Sequence, residues 1–439
     1  MTVYEQYRIT GATRREIASA VEEGVESGAL RAGAALPSVR TLADDLAISP
    51  ATVAAAYRDL RDRGIVTSRP RSAVLVAHRP PLDTPPVPSV PDGVVDLATG
   101  NPDPALLPPL PGIEPPDRPR LYGEPPDLPA LLDAVGDELE ADGVRTGHLV
   151  VTSGALDGID RVLDVHLRRG DRIAVEDPCW TGTRDVLRLR GLDAVPVAVD
   201  DRGMRPDALE AALRDGVAAV LLTPRAHNPA GAALDADRAS ELRDLLAAAP
   251  DPVVIEDDHS GAVSGVAYHS LSSERRRWAV VRSMAKALGP DLRVAVMAAD
   301  RHTAARVAGR LRLGPGWVST VLQRLAATML TDPETAAALA DAARTYTRRR
   351  TALLGALRAI GVEATGRSGF NVWVPVAQEA PLVTGMERAG WAVRAGEPFR
   401  LDAGPALRIT TAALDPTDAP RVAADLGALL HGGGHTRLG

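Results

Sequence analysis

The sequence predicts an α/β protein in two parts: a small helical head ending in a β-ribbon, and a large domain built on a mostly parallel sheet. Three observations carry that prediction. Prolines crowd residues 79–92 (RPPLDTPPVPSVPD), a composition that suits neither helix nor central strand and reads as an extended, semi-rigid linker. Before it, apolar residues recur at helical spacing. After it, short Val-, Ala- and Leu-rich runs alternate with helical stretches. The expected division is a head at 1–78, a linker at 79–95 and a large domain at 96–432, and 439 residues exceed what one ordinary core organises.

In the head, a first helix is expected from about Thr13 to Ser27. Ser38 then caps a short helix whose Leu42, Ala43 and Leu46 share one face. Ser49 caps the next helix, Pro50 takes its first position, and Val53, Ala56, Tyr57 and Leu60 form its buried stripe. Two short helices joined by a tight turn make a helix-turn-helix, whose second helix would enter a DNA major groove. The runs IVTS and AVLVA flank Arg69-Pro70-Arg71 and suggest a wing. Between Arg31 and Arg79, eight arginines stand against four aspartates, a local excess of +4 suited to phosphate contacts. A plain helical hairpin inside a globular core would show the same apolar stripe.

The large domain begins its alternation after about Leu131. LVVTSG, DRIAVEDP, AVPVAVD, AAVLLTP, PVVIEDD, RWAVVRS and RVAVMAAD read as strands of a parallel sheet with helices on both faces. From about Thr331 a long helical stretch precedes strand-like NVWVPV and ALRITTA, a smaller α+β subdomain. The tail HGGGHTRLG is expected to be disordered.

Charge and composition narrow the function classes. A net charge of −7 argues against coating nucleic acid along the whole chain, while leaving room for a local basic face. The single cysteine, Cys179, excludes an internal disulfide or a Cys-rich metal site and suits a cytoplasmic protein. No run approaches the ~20 apolar residues of a membrane span, so no membrane partner is expected.

Lys286 is the only lysine; every other basic residue of the 50 is arginine. An amine can form an imine and a guanidinium cannot, so a retained lysine points to covalent chemistry. Arginine-biased codon usage with one chance survivor explains the same count. Lys286 sits between two strands with Arg293 seven positions on, an amine beside a cation fit for a phosphate. Ser153-Gly154-Ala155 lie where a strand hands over to a helix, an anion site if the backbone N–H groups point outward. Trp180 follows a strand, where it could stack on a ring or simply fill the core. Asn228 precedes a proline at a strand end, placed to donate to a phenolic oxygen. PVVIEDDHS ends an apolar strand in three acids and a histidine, and a carboxylate there would be costly to bury unless it met a cation such as a protonated pyridine nitrogen.

Taken together, PSVRTLADDLAISPATVAAAYRDLRDRGIV resembles the winged-helix domain of the GntR regulators, and residues from about Asp96 to Leu414 resemble the fold-type I aminotransferases. The whole chain thereby resembles the MocR subfamily of GntR regulators. The resemblance implies a winged helix-turn-helix with Arg40, Ser49 and Thr52 at the DNA surface and Arg69 and Arg71 on the wing. It also implies a fold-type I, PLP-dependent domain holding pyridoxal 5'-phosphate. Lys286 would form the Schiff base, Asp257 would pair with the pyridinium, Asn228 would bond O3′ and Trp180 would stack. Ser153, Gly154, Ala155, Ser283 and Arg293 would hold the phosphate, with Tyr122 reaching the neighbouring subunit's phosphate and Arg408 gripping an effector carboxylate. His259 stands in the cofactor shell where the family usually has tyrosine. Other departures are Ala73 for the wing-tip glycine, Ala285 in a degraded lysine motif, and Asp127 and Leu132 for a glycine and an arginine. The expected protein is a homodimeric regulator that binds a double-stranded DNA operator and senses pyridoxal phosphate, an amine or an amino acid. An active aminotransferase with a tethered head is the alternative, and a large domain kept only for dimerisation is a third reading.

Overall fold

The computed structural model describes residues 7–62, 65–67, 73–77, 90–112, 118, 120–272 and 274–432. The chain forms two compact units, 1–86 and 87–439.

The head contains α1 (Arg14–Glu26), α2 (Val39–Leu46), α3 (Pro50–Asp62), β1 (Val66–Thr67) and β2 (Leu75–Val76). Its helices begin where side chains satisfy the orphan N–H groups of a first turn. Thr13 Oγ1 accepts from Glu16 N, Ser38 Oγ from Thr41 N and Ser49 Oγ from Thr52 N, at 3.3, 3.1 and 3.2 Å. Ala47, at φ 54°, ends α2 and turns the chain into α3. Ile17, Val21, Leu42, Val53, Ala56, Tyr57 and Leu60 fill the core between the three helices. Leu46, expected with Leu42 and Ala43, packs at its edge. β1 and β2 pair antiparallel with Val66 opposite Val76, giving the base of the expected wing. Arg69 and Arg71 lie outside the described residues, as do residues 79–89 of the expected linker and the tail from 433.

The larger unit runs β3 (Val95–Leu97), α4 (Pro129–Ala141), β4 (Leu149–Thr152), α5 (Ala155–His166), β5 (Arg172–Asp177), α6 (Thr181–Arg190), β6 (Asp193–Asp200) and β7 (Gly203–Met204). It continues with α7 (Pro206–Arg214), β8 (Ala219–Leu222), α8 (Ala236–Ala248), β9 (Val253–Asp258), β10 (Trp278–Ser283), β11 (Ala295–Ala299), α9 (Arg301–Leu313) and α10 (Thr320–Thr331). It closes with α11 (Pro333–Ala359), β12 (Asn371–Pro375), α12 (Ala380–Arg388), β13 (Trp391–Ala395), β14 (Ala406–Thr410) and α13 (Ala419–Gly432).

Eight strands form the large sheet in the order β4-β11-β10-β9-β8-β5-β6-β7. The run β10-β9-β8-β5-β6 is parallel throughout, while β11 opposes both its neighbours and β7 turns back on β6. All seven apolar runs picked out by composition are strands of this sheet; six are buried on both faces and have no need of polar alternation, while β6 is partly exposed. One face packs Val151, Val280 and Val296 against Leu325 and Tyr346; the other packs Val281 and Met297 against Ile159, Leu163 and Val307. A second sheet, β12-β14-β13-β3, is backed by Leu353, Leu357, Met386 and Leu426. Its β3 comes from the start of the unit. Val95, expected as the last linker residue, already pairs with Trp391, and a three-residue strand was too short to show a period.

At the carboxyl end of β9, Asp258 is fully buried between two arginines. Arg225 reaches it through Nε and Nη2, both at 2.9 Å, and Arg282 through Nε at 2.7 Å. Both guanidinium groups lie over the Tyr268 ring, and Arg282 continues to Asp142 at 2.5 Å. Burial alone would raise the Asp258 carboxyl; the two arginines outweigh it and hold the group well below the usual carboxylate range. Asp258→Ala strands two buried cations and is expected to destabilise the larger unit by about 3–5 kcal/mol. Urea denaturation followed by circular dichroism measures this, and a loss below about 1 kcal/mol would show that the network contributes little.

Candidate functional site

Strand alternation sorts the acids of β9. Glu256 and Asp258 point to one side, where Tyr268, Ser270 and the Leu271 N–H serve Glu256. Asp257 points to the other and remains buried, at 7% exposure, with no hydrogen-bond partner on Oδ1 among the described residues. Burial, and next the charge of Asp258, push its carboxyl up to about 7. It is a carboxylate-bearing position that lacks a cation.

Lys286 stands in the turn after β10. Its Nζ donates to Gly100 O at 2.8 Å and lies 5.7 Å from the Phe370 ring centroid. Burial, and then Arg408, bring its amine down from 10.5 to about 8, so a nucleophilic fraction exists near neutral pH. His259 hydrogen-bonds the Ala226 carbonyl through Nε2 at 2.9 Å. Burial and the Lys286 charge lower its imidazole to about 4, which keeps it neutral. Arg408, on β14, is 4% exposed and therefore no surface arginine. It donates to Asn228 Oδ1 at 3.2 Å and to the Ala98 carbonyl, and its guanidinium lies over Phe399. Lys286, His259, Asn228 and Arg408 are thus linked through shared contacts and charge.

A separate cluster forms a cradle at the start of α5. Gly154 holds φ 87° immediately before α5, and a Cβ there would come within 2.7 Å of Arg293 Nη2. Only glycine lets that guanidinium approach the helix start. Arg293 Nη2 also donates to Ser153 O at 3.4 Å, while the Ser153 N–H is taken by Asp157. The buried Ser283 hydroxyl accepts from Ala285 N at 3.2 Å. The α5 N-terminus at Ala155, Arg293 and Ser283 supply the charge and donors a phosphate needs.

Trp180 is 38% exposed, so it does not serve as core filling, and its ring lies against Gly182 at the start of α6. Tyr122 is 93% exposed and meets the edge of Trp317 at 5.6 Å. Sequence reasoning missed one pair beside these residues. His227 and Glu176 are buried with Nε2 and Oε2 3.4 Å apart. His227 Nδ1 accepts from Ala230 N, which leaves the hydrogen on Nε2, facing Glu176. The histidine next to Asn228 was visible in the sequence, but nothing there connected it to Glu176. In the head, Arg40 and Ser49 are exposed and Thr52 is half-buried, and the Ser49 and Thr52 hydroxyls bond each other at 2.9 Å where α3 begins.

Residues 13–76 match the bacterial regulatory proteins of the gntR family, and residues 120–426 match aminotransferase class I and II. The vitamin B6 salvage pathway transcriptional repressor PtsJ of Salmonella typhimurium is 40% identical over 95% of this chain and 98% of its own. This chain belongs to the MocR subfamily of GntR regulators. The regulator TauR of Rhodobacter capsulatus is 30% identical to this MocR-type chain over 82% of it and 83% of TauR. Among solved structures, the kynurenine aminotransferase of Pyrococcus horikoshii superposes with a TM-score of 0.70 at 20% identity, covering 78% of this chain and 92% of that one. The fold of the larger unit is therefore that of a fold-type I aminotransferase. No helix among the described residues is long and apolar enough to cross a membrane.

Pyridoxal phosphate, the cofactor of this fold, fits the site. The unpartnered Asp257 Oδ1 suits a ring N–H, the Gly154–Arg293 cradle suits a phosphate, and Lys286 is a buried amine of lowered basicity. Because the folded-state pKa of Asp257 is raised, the folded protein gains protons there at acid pH. That part of its stability is present below about pH 4 and is lost as pH rises through about 7. Asp257→Asn should flatten the fall of cofactor-free stability between these limits by up to about 1.4 kcal/mol per pH unit. Identical slopes in urea melts of the two proteins would rule out this titration.

Proposed function

We propose that this DNA-binding transcription regulator holds pyridoxal phosphate on Lys286 and senses the cofactor itself or an amine or amino acid that reacts with it. The observation that carries the reading is the chain's sole lysine, set beside an unpaired buried carboxylate and an arginine-lined cradle. Bound pyridoxal phosphate supplies an electrophilic aldehyde carbon that captures amines. Asp257 would keep the ring nitrogen protonated, Asn228 would donate to O3′, Trp180 would stack and His259 would line the pocket as a neutral ring. Ser153, Gly154, Ala155, Ser283 and Arg293 would hold the phosphate. Arg408 would take an effector carboxylate, exchanging two neutral acceptors for a charged one. The vitamin B6 salvage role named for PtsJ makes a B6-derived signal the first candidate.

The exposed Tyr122 supports a homodimer in which it reaches the partner's phosphate. Two heads would then address two operator half-sites through Arg40, Ser49 and Thr52, with Arg69 and Arg71 on the wings.

Purified protein mixed with pyridoxal phosphate should show a visible absorbance band that borohydride fixes to the chain and that Lys286→Ala lacks. No band in the wild type would overturn the reading. Steady turnover of an amino donor and a keto acid would instead favour the aminotransferase alternative. Arg40→Ala is expected to weaken DNA binding uniformly across sequences and to reduce the slope of log K against log salt by about 1. An unchanged slope in fluorescence anisotropy titrations would remove Arg40 from the phosphate contacts.

A further inference from the structure

Lys286 and Arg408 grip the same short piece of chain. The lysine donates to the carbonyl of Gly100 and the arginine to the carbonyl of Ala98, two residues away. Gly100 holds φ 73°, and a Cβ there would lie 3.3 Å from the Arg408 guanidinium, so the backbone passes close over that group. The piece is anchored at both ends. On one side Asp96 Oδ1 accepts from the N–H groups of Ala98 and Thr99, each at 2.9 Å, and β3 pairs with β13. On the other, Asp103 N donates to Tyr346 Oη at 3.0 Å and the Asp103 carboxylate meets Arg349 at 2.8 Å. Between these anchors, the two ligand-facing cations hold the carbonyls. β3 is also the first strand after the proline-rich segment that leads from the head.

We propose that Ala98–Gly100 is a strap through which occupancy of the site is passed toward the head; this rests on the cofactor reading above. Condensation of the neutral Lys286 amine with an aldehyde forms a C=N bond. Both amine hydrogens leave with the carbonyl oxygen as water, so Gly100 loses its donor. A carboxylate at Arg408 competes with the Ala98 carbonyl, and a charged acceptor wins over a neutral one. Each event frees one carbonyl. When an effector amine takes over the imine carbon, Lys286 leaves as the free amine and can donate to Gly100 again, so an effector that brings a carboxylate exchanges one held carbonyl for the other. β3 then loses the hold that the strap gave its carboxyl end, and the head, joined through the proline-rich segment to the other end of that strand, senses this provided that the two states of the strand differ in DNA affinity.

The test is hydrogen–deuterium exchange of the full chain, read on peptides spanning 94–103. The protein is compared alone, with pyridoxal phosphate, and with pyridoxal phosphate plus either L-alanine or ethylamine, which lacks the carboxylate. Exchange over 94–103 should rise about 5-fold or more on loading; ethylamine, which returns the Lys286 amine to Gly100, should reverse the rise, and L-alanine should preserve it by releasing Ala98. In parallel, Kd is measured for a duplex selected from a random pool by the full chain. The ratio of Kd with and without pyridoxal phosphate should fall toward 1 in Gly100→Ala, whose absorbance band is retained. Unchanged exchange in a wild type that forms the band overturns the strap alone. A full wild-type Kd ratio in a band-forming Gly100→Ala does the same. Absence of the band overturns the cofactor reading and the strap with it.

Discussion

The site depends on the neutralisation of Asp258 by Arg225 and Arg282. Three acids in succession end β9, and a buried sheet tolerates them only if each is dealt with differently. Glu256 is served by neutral donors and is pushed up to about 7, chiefly by burial, while Asp258 is held ionised by two guanidinium groups. Asp257, on the opposite side of the strand, is left over. Its lack of a hydrogen-bond partner on Oδ1 follows from the pleat, since the two arginines meet Asp258 on the other side of the strand. The fold thus presents one uncommitted carboxylate in the crevice at the carboxyl ends of parallel strands, where open α/β sheets place their ligands.

Much of this was legible in the sequence, for reasons that differ by element. Seven of the eight strands of the large sheet were visible as continuous apolar runs, which six of them owe to burial on both faces, while β6 is partly exposed. Two caps of the head were visible because Ser38 and Ser49 are residue types with a local mechanism; Thr13, taken as the start of the first helix, is its cap. Lys286 was visible by count. By contrast, β3, β7 and β13 were not anticipated. The first two span only three and two residues, and β13 interleaves Arg394 with small and apolar residues.

The site's polar contacts were the least legible. Arg225, Arg282 and Asp142 are far apart in sequence, and in a chain whose basic residues are nearly all arginine no single one attracts attention. The contacts of Ala98 and Gly100 run through backbone carbonyls, which every residue carries, so no residue type marks them. Glu176 and His227 are distinctive residue types, but they come from different strand ends that the sequence does not bring together. Side-chain identity reveals chemistry; which backbone oxygen faces a cation is decided only by the path of the chain.

The partial burial of Lys286 has a practical side. In this chain, amine-selective reagents have two kinds of target, the terminal amine and a single lysine at the centre of the large domain. With its basicity brought down to about 8, that lysine is more reactive near neutrality than an ordinary exposed one. An acylating dye therefore has a single side-chain target, and loss of the one cut made there by a lysine-specific protease reports its modification. Protection of that single position reports directly on whatever occupies the pocket.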